Sequence, residues 1–144
     1  MQIAASDKGI TSVYFTEKES EEKFPNSIVL DCIHQLQEYF YGERKNFFLP
    51  LDLHGTEFQR RVWSELLKIP FGRTVSYQYI AKKLGDKNLL RAVGNANGKN
   101  PVSIIIPCHR VIGADGDLVG YGSGLHRKKW LLEFEGAMVP KLFD

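Results

Sequence analysis

The sequence predicts a mixed α+β chain in two parts. A small N-terminal α/β appendage with a short sheet occupies residues 1–54, and a mainly helical part containing a helix-turn-helix occupies residues 55–144. Three observations predict this. Ile10-Thr11-Ser12-Val13-Tyr14-Phe15 alternates as a strand does. Apolar residues recur at helical spacing from Ser27 and again from Phe58. Between Tyr77 and Gly98, two short helical patterns meet across Gly85, with a basic residue on the second, which is the helix-turn-helix pattern.

Taken in order, the strand near residue 10 is followed by a charged run, Glu17 to Lys23, read as a solvated loop or helix start. Ile28, Val29, Cys32, Ile33, Leu36 and Phe40 then form one helical stripe. Cys32 lies on it and reads as an inert core thiol, whereas His34 falls off it and reads as exposed. Phe47 to Leu53 reads as an edge strand feeding a linker. Thr56 and Gln59 form a capping box for a helix carrying Phe58, Val62, Trp63, Leu66 and Leu67, stopped by Pro70-Phe71-Gly72. Ser76 caps a short helix from Tyr77 to Leu84. A third helix runs from Asp86 or Lys87 to Gly98, with a surface of Ala92, Gly94, Asn95, Ala96 and Asn97 almost free of bulk. Gly94 costs about 1 kcal/mol of helix propensity relative to Ala. Close approach to a partner surface and helix-on-helix packing both account for it.

Val102 to Ile106 reads as a buried strand, ended by Pro107, which has no N–H to donate. Val111 to Tyr121 reads as a hairpin around Asp115-Gly116. After the permissive Gly120, Gly122 and Gly124, Ser123 helps cap a last amphipathic helix carrying Trp130, Leu131, Phe134 and Glu135.

Charge divides unevenly. Residues 1–54 hold five Lys/Arg against nine Asp/Glu, and residues 55–144 hold fourteen against eight. A net charge of +6 on the second part suits a polyanionic partner, with an ordinary solvated basic face as the alternative. Cys32 and Cys108 form neither a disulfide framework nor a metal-ligand spacing, so no metal is expected. No apolar run reaches the roughly 18–20 residues a membrane span needs, and Met1 to Ser6 lacks the features of a signal peptide. A reducing cytoplasm, with the protein at the nucleoid (or in a nucleus), is the expected compartment.

The chemistry centres on Cys108-His109-Arg110. A thiolate is the strong nucleophile, and its pKa near 8.5 has to fall for use at neutral pH. His109 offers acid–base function and Arg110 positive charge. Side chains alternate along extended backbone, so His109 is expected to reach the sulfur through a water or a local bend. Glu135 is placed to orient it as a third member. An adjacent Cys-His pair alone is equally readable as core packing.

The longer run from Arg91 through Asn100-Pro101-Val102-Ser103-Ile104-Ile105-Ile106-Pro107-Cys108-His109-Arg110-Val111 to Gly113 resembles the methylated-DNA–protein-cysteine methyltransferases, the 6-O-alkylguanine-DNA alkyltransferases. The likeness extends over Phe58 to Trp63, Gly72 to Tyr77, Gly120-Tyr121-Gly122-Ser123-Gly124 and Lys129 to Gly136, covering roughly residues 55–137. The resemblance implies a winged-helix-like DNA-binding domain and an N-terminal remnant similar to ribonuclease H.

It also implies roles. Cys108 would take an alkyl group from oxygen 6 of guanine, or oxygen 4 of thymine, once only and without cofactor. His109, through a water, and Glu135 would hold the thiolate, Asn100 the turn around it. Tyr77 would donate toward N3 of the departing base. Carbonyls of Cys108 and Val111 would read the amino edge, the backbone of Gly122 would face the oxygen, Tyr121 would wall the alkyl pocket, and Ser123 would join them in binding the substrate. The base must be flipped out of the stack. Arg91 would fill the gap, with Ala92, Gly94 and Asn95 in the minor groove and Lys82, Lys87, Lys99, Arg60 and Arg110 toward the DNA. The implied partner is double-stranded DNA, met by a monomer able to cluster along it, with no membrane involved.

Three departures mark the chain. The appendage is short, Cys32 and His34 alone build no zinc site of the kind some relatives carry, and Gly122-Ser123-Gly124 stands where small-Gly-Gly is commoner. Two rival readings are a lesion sensor without chemistry, which in such proteins has Trp in place of the nucleophile, and a hydrolase using Cys108, His109 and Glu135.

Overall fold

The structure is a computed structural model and describes residues 1–18 and 26–138. The charged run from Glu17 to Lys23 therefore lies largely outside the described residues. Contacts divide the chain into two units. One is Met1–Gly55 together with Pro101–Ile105, and the other is Thr56–Asn100 with the chain from Ile106 onward.

In the first unit, β1 (Gln2–Ala5) and β2 (Ile10–Tyr14) form an antiparallel pair with Ile3 opposite Val13 and an irregularity between Ala4 and Ala5. The sequence reading found β2 and missed β1, whose four residues are too few to show a period. α1 (Ser27–Phe40) starts where Asn26 accepts from Val29 N at 2.9 Å, and buries Cys32, Leu36 and Tyr39. His34 is exposed, with its Nε2 3.5 Å from Glu38 Oε1.

Two expected strands are absent. Around Leu51 the chain makes a single parallel bridge to Ile10, with Ile10 N donating to Pro50 O and Asp52 N to Ile10 O. Gly9 is what allows it, because a Cβ there would sit 2.7 Å from Pro50 backbone atoms. Val102 likewise makes one parallel bridge, to Val13, and the backbone then turns, with Ile105 N donating to Ser103 O. Ile104 lies at φ 71, in the left-handed region that a β-branched residue enters only under strain. Five buried residues between two prolines are thus a tight apolar turn and not a strand. Burial was read correctly; periodicity cannot distinguish the two.

In the second unit, α2 (Glu57–Leu66) carries the full capping box between Thr56 and Gln59. Its Trp63 is 1% exposed and donates to Ala96 O at 2.9 Å, pinning α2 to the helix that contains Ala96. Ser76 accepts from Tyr79 N and starts α3 (Tyr77–Lys83). Gly85, at φ 98, turns the chain through a short 3-10 segment, Lys87–Leu89, into α4 (Leu90–Gly98). α3 and α4 pack on each other and on α2.

The expected hairpin after residue 111 does not form. β3 (Val75–Ser76) instead pairs in parallel with β4 (Val111–Ile112). A closed turn follows, with Gly113 N donating to Asp117 O. The carbonyls of Val111 and Val119, which a returning strand would share in a ladder, both accept from a lysine ammonium. α5 (Leu125–Phe134) starts at Gly124, φ 102, with no side-chain cap, so Ser123 does not cap it. Its buried stripe is Lys128, Leu131, Leu132 and then Glu135, while Trp130 is half exposed and stacks on Phe134 at 5.0 Å. Among the described residues no helix is long and apolar enough to cross a membrane.

Candidate active site

Cys108 opens a 3-10 turn, Cys108–Arg110, and not a strand end. The turn rotates successive side chains by about 120°, so alternation no longer governs where His109 points. Cys108 is 5% exposed. Burial pushes its thiol up, opposed by a hydrogen bond from the Asn100 side chain and by the charge of Lys128. Asn100 also donates to Ile106 O at 2.8 Å, fixing the backbone just before the thiol.

His109 is fully buried, and its Nε2 lies 2.9 Å from Glu135 Oε2. Burial opposes the charge on Glu135, but hydrogen bonds from His109 and Arg110 win and bring its carboxyl down to about 2. An ionised carboxylate only accepts, so this contact assigns the imidazole proton to Nε2. Burial pulls the His109 pKa down, toward the neutral ring. Nδ1 is then a lone pair, and it has no hydrogen-bond partner among the described residues. The site holds a neutral base with a carboxylate at its back.

Arg110 corrects the sequence reading. It is 6% exposed, donates from Nε and Nη2 to Glu135 at 2.8 and 2.9 Å and from Nη1 to Ile69 O at 2.7 Å. A guanidinium with its donors bound inside the protein is not available to a phosphate. It belongs to the interior, where it keeps Glu135 ionised.

The Tyr77 hydroxyl donates to Val119 O at 3.0 Å. Burial, and then the nearby Cys108, hold its pKa above the ordinary phenol value, so it stays protonated. Tyr77, Arg91, Gly94, Ala114, Val119 and Gly120 line a pocket of about 540 Å³. A Cβ at Gly94 would lie 4.0 Å from the Tyr77 ring, an ordinary contact, so the close approach expected at this position is not seen within the protein. Val111 is buried, Tyr121 and Ser123 are half-buried and Gly122 is exposed. Arg91, Ala92, Asn95, Lys99, Lys82 and Lys87 are all exposed, on and around α3 and α4. Among the described residues no cluster could hold a metal ion.

Two residues escaped the sequence reading. Asn97 is buried and donates to Cys108 O at 3.4 Å, a long bond that joins α4 to the thiol's turn. Lys128 is wholly buried, and burial brings its pKa to about 8 against the opposing attraction of Cys108. Its signal was present: residues 128, 131, 132 and 135 are spaced i, i+3, i+4, i+7, one helical face. A stripe of apolar residues that contains a Lys and a Glu is a request for buried partners.

A helix-turn-helix with exposed cations, joined to a buried thiol backed by a neutral base, defines a nucleic-acid-binding protein with a nucleophilic cysteine. The comparisons agree. Residues 57–137 match the family described as 6-O-methylguanine DNA methyltransferase, DNA binding domain, and residues 1–53 match its ribonuclease-like domain. The methylated-DNA–protein-cysteine methyltransferase of Mycobacterium leprae is 56% identical over 79% of this chain and 69% of its own. That of Methanosarcina acetivorans is 45% identical over 94% and 90%. The crystal structure of Mycobacterium tuberculosis OGT in complex with DNA superposes with a TM-score of 0.84 at 47% identity, covering 94% of this chain and 85% of that one. The chain belongs to the 6-O-methylguanine DNA methyltransferase family.

Proposed function

We propose that the protein repairs alkylated DNA by moving the alkyl group from 6-O-alkylguanine, and from 4-O-alkylthymine, to Cys108. The observation that carries this is the buried Cys108 turn with the His109–Glu135–Arg110 cluster behind it. Nδ1 of His109 takes the thiol proton through a bridging water, and Glu135 stabilises the imidazolium. The thiolate attacks the alkyl carbon, an S–C bond forms, the C–O bond breaks and the electron pair leaves on the base oxygen. Tyr77 gives its hydroxyl proton to N3 of that base, so it departs neutral, and solvent restores the phenol.

A base inside the duplex is out of reach of a buried sulfur, so it is flipped into the pocket at Tyr77 while Arg91 occupies the vacated space. Lys82, Lys87 and Lys99 meet phosphates. Nothing in the reaction removes carbon from a thioether, so each molecule acts once. It acts as a monomer that can cluster along duplex DNA.

The test is incubation with a duplex carrying one 6-O-methylguanine, followed by peptide mass analysis. The expected result is one methyl on the Cys108 peptide and at most one equivalent per protein. Repeated turnover, or tight binding with no transfer, would overturn the reading.

A further inference from the structure

No step of the proposed transfer is assigned to Lys128, yet its buried ammonium holds two backbone carbonyls of the second unit. Its Nζ donates to Val111 O at 2.6 Å and to Val119 O at 2.8 Å. Val119 O is also where the Tyr77 hydroxyl rests, at 3.0 Å. One carbonyl therefore holds two donors, a lysine and the phenol assigned to protonate the base. Tyr77 and Val119 both line the pocket, and Lys128 lies behind them.

This arrangement poses a physical question. The hydroxyl cannot serve a base in the pocket while it donates to Val119, so it must leave that carbonyl. Val119 is 45% exposed, and a carbonyl on such a residue that loses its one fixed partner drifts out of register with the hydroxyl. A carbonyl that keeps a charge-assisted bond from below does not. With both of its lone pairs in use, Val119 O can release one donor and stay satisfied.

We propose that Lys128 is a positioning residue that holds the Val119 carbonyl as the resting seat of the Tyr77 hydroxyl and keeps that carbonyl bonded when the hydroxyl turns to the base. The same ammonium, through Val111 O, ties β4 to the loop carrying Val119, so that both walls of the seat move as one. This inference rests on the proposed role of Tyr77 as proton donor.

Single-turnover transfer from a 6-O-methylguanine duplex tests it on the intact protein, with Lys128→Met, Tyr77→Phe and the double variant. Lys128→Met is expected to lower the limiting transfer rate at least tenfold while leaving the Kd for unmodified duplex within twofold, since the lysine faces no solvent. Tyr77→Phe is expected to slow the wild type strongly and the Lys128→Met protein little, because both remove the same seat. Effects that multiply independently, an unchanged rate, or a loss confined to DNA affinity would each overturn it. Should Lys128→Met fail to give a cooperative thermal transition, Lys128→Gln, which loses the charge-assisted bond, serves in the same cycle, and the same criteria apply. A wild-type protein that transfers no methyl would refute the proposed function instead; one that transfers normally but shows an additive cycle refutes only this inference.

Discussion

The second unit carries two populations of positive charge, and they do opposite things. Arg110 and Lys128 lie inside, each held by at least two hydrogen bonds to fixed acceptors. Arg91, Lys82, Lys87 and Lys99 lie outside on and around the helix-turn-helix. A net charge counts both alike. The interior pair sets the protonation of the site, and the exterior set supplies the attraction for a polyanion. Comparing them teaches that a basic sequence is a statement about partners only after the buried cations have been subtracted.

The largest effect expected on this contrast comes from removing the thing both populations serve. Cys108→Ser should abolish methyl transfer in the peptide mass assay while leaving duplex affinity within about twofold, because neither set of cations is touched.

Next is the interior. Arg110→Met leaves Glu135 charged and buried without the two hydrogen bonds that Arg110 gives it, and breaking such a pair costs about 3–5 kcal/mol of stability. Urea unfolding should show this loss, while the slope of log affinity against log salt stays that of the wild type. A changed salt slope would return Arg110 to the DNA-facing set.

Acid should find the same weak point. The Glu135 carboxyl sits at about 2 in the folded protein against an ordinary value of 4.5. A carboxyl with a depressed folded pKa contributes stability that is fully present above pH 4.5 and is lost as pH falls toward 2. The contribution is on the order of 3 kcal/mol. Glu135→Gln should be less stable at neutral pH and lose less stability over that acid range than the wild type. Equal acid sensitivity in the two proteins would place the effect elsewhere.

The smallest effects belong to the exterior. Lys82→Ala and Lys87→Ala should leave the thermal midpoint and the limiting transfer rate unchanged. Each should weaken duplex binding modestly and reduce the salt slope by about 0.9 for one lost phosphate contact. Destabilisation in either variant would show that these lysines support the fold.

Much of this was legible in the chain, and what was missed has a common cause. The capping box at Thr56, the Ser76 cap and the turn at Gly85 depend on residues close in the chain and appear as read, whereas the α1 stripe appears in part: Cys32 and Leu36 are buried, but Ile33 is exposed and Tyr39 is buried instead. The reading of Val102–Ile106 as a strand failed because an apolar run reports burial, and the left-handed Ile104 between two prolines decided its shape. Of the residues read on the last helix, Leu131 and Glu135 are buried, whereas Trp130 is half exposed and stacks on the half-buried Phe134.

By itself the sequence determined the helices, the caps at Thr56 and Ser76, and a thiol next to an imidazole, since propensity and capping act over a single turn of chain. Tertiary structure alone decided which charges are interior. Arg110 finds Ile69 O 41 residues away and Glu135 25 residues away, and Lys128 finds Val111 O 17 residues away. Only packing brings such partners together. An ion can leave water only where they meet, because the cost of burying a charge is offset by its partners and not by its neighbours in the chain.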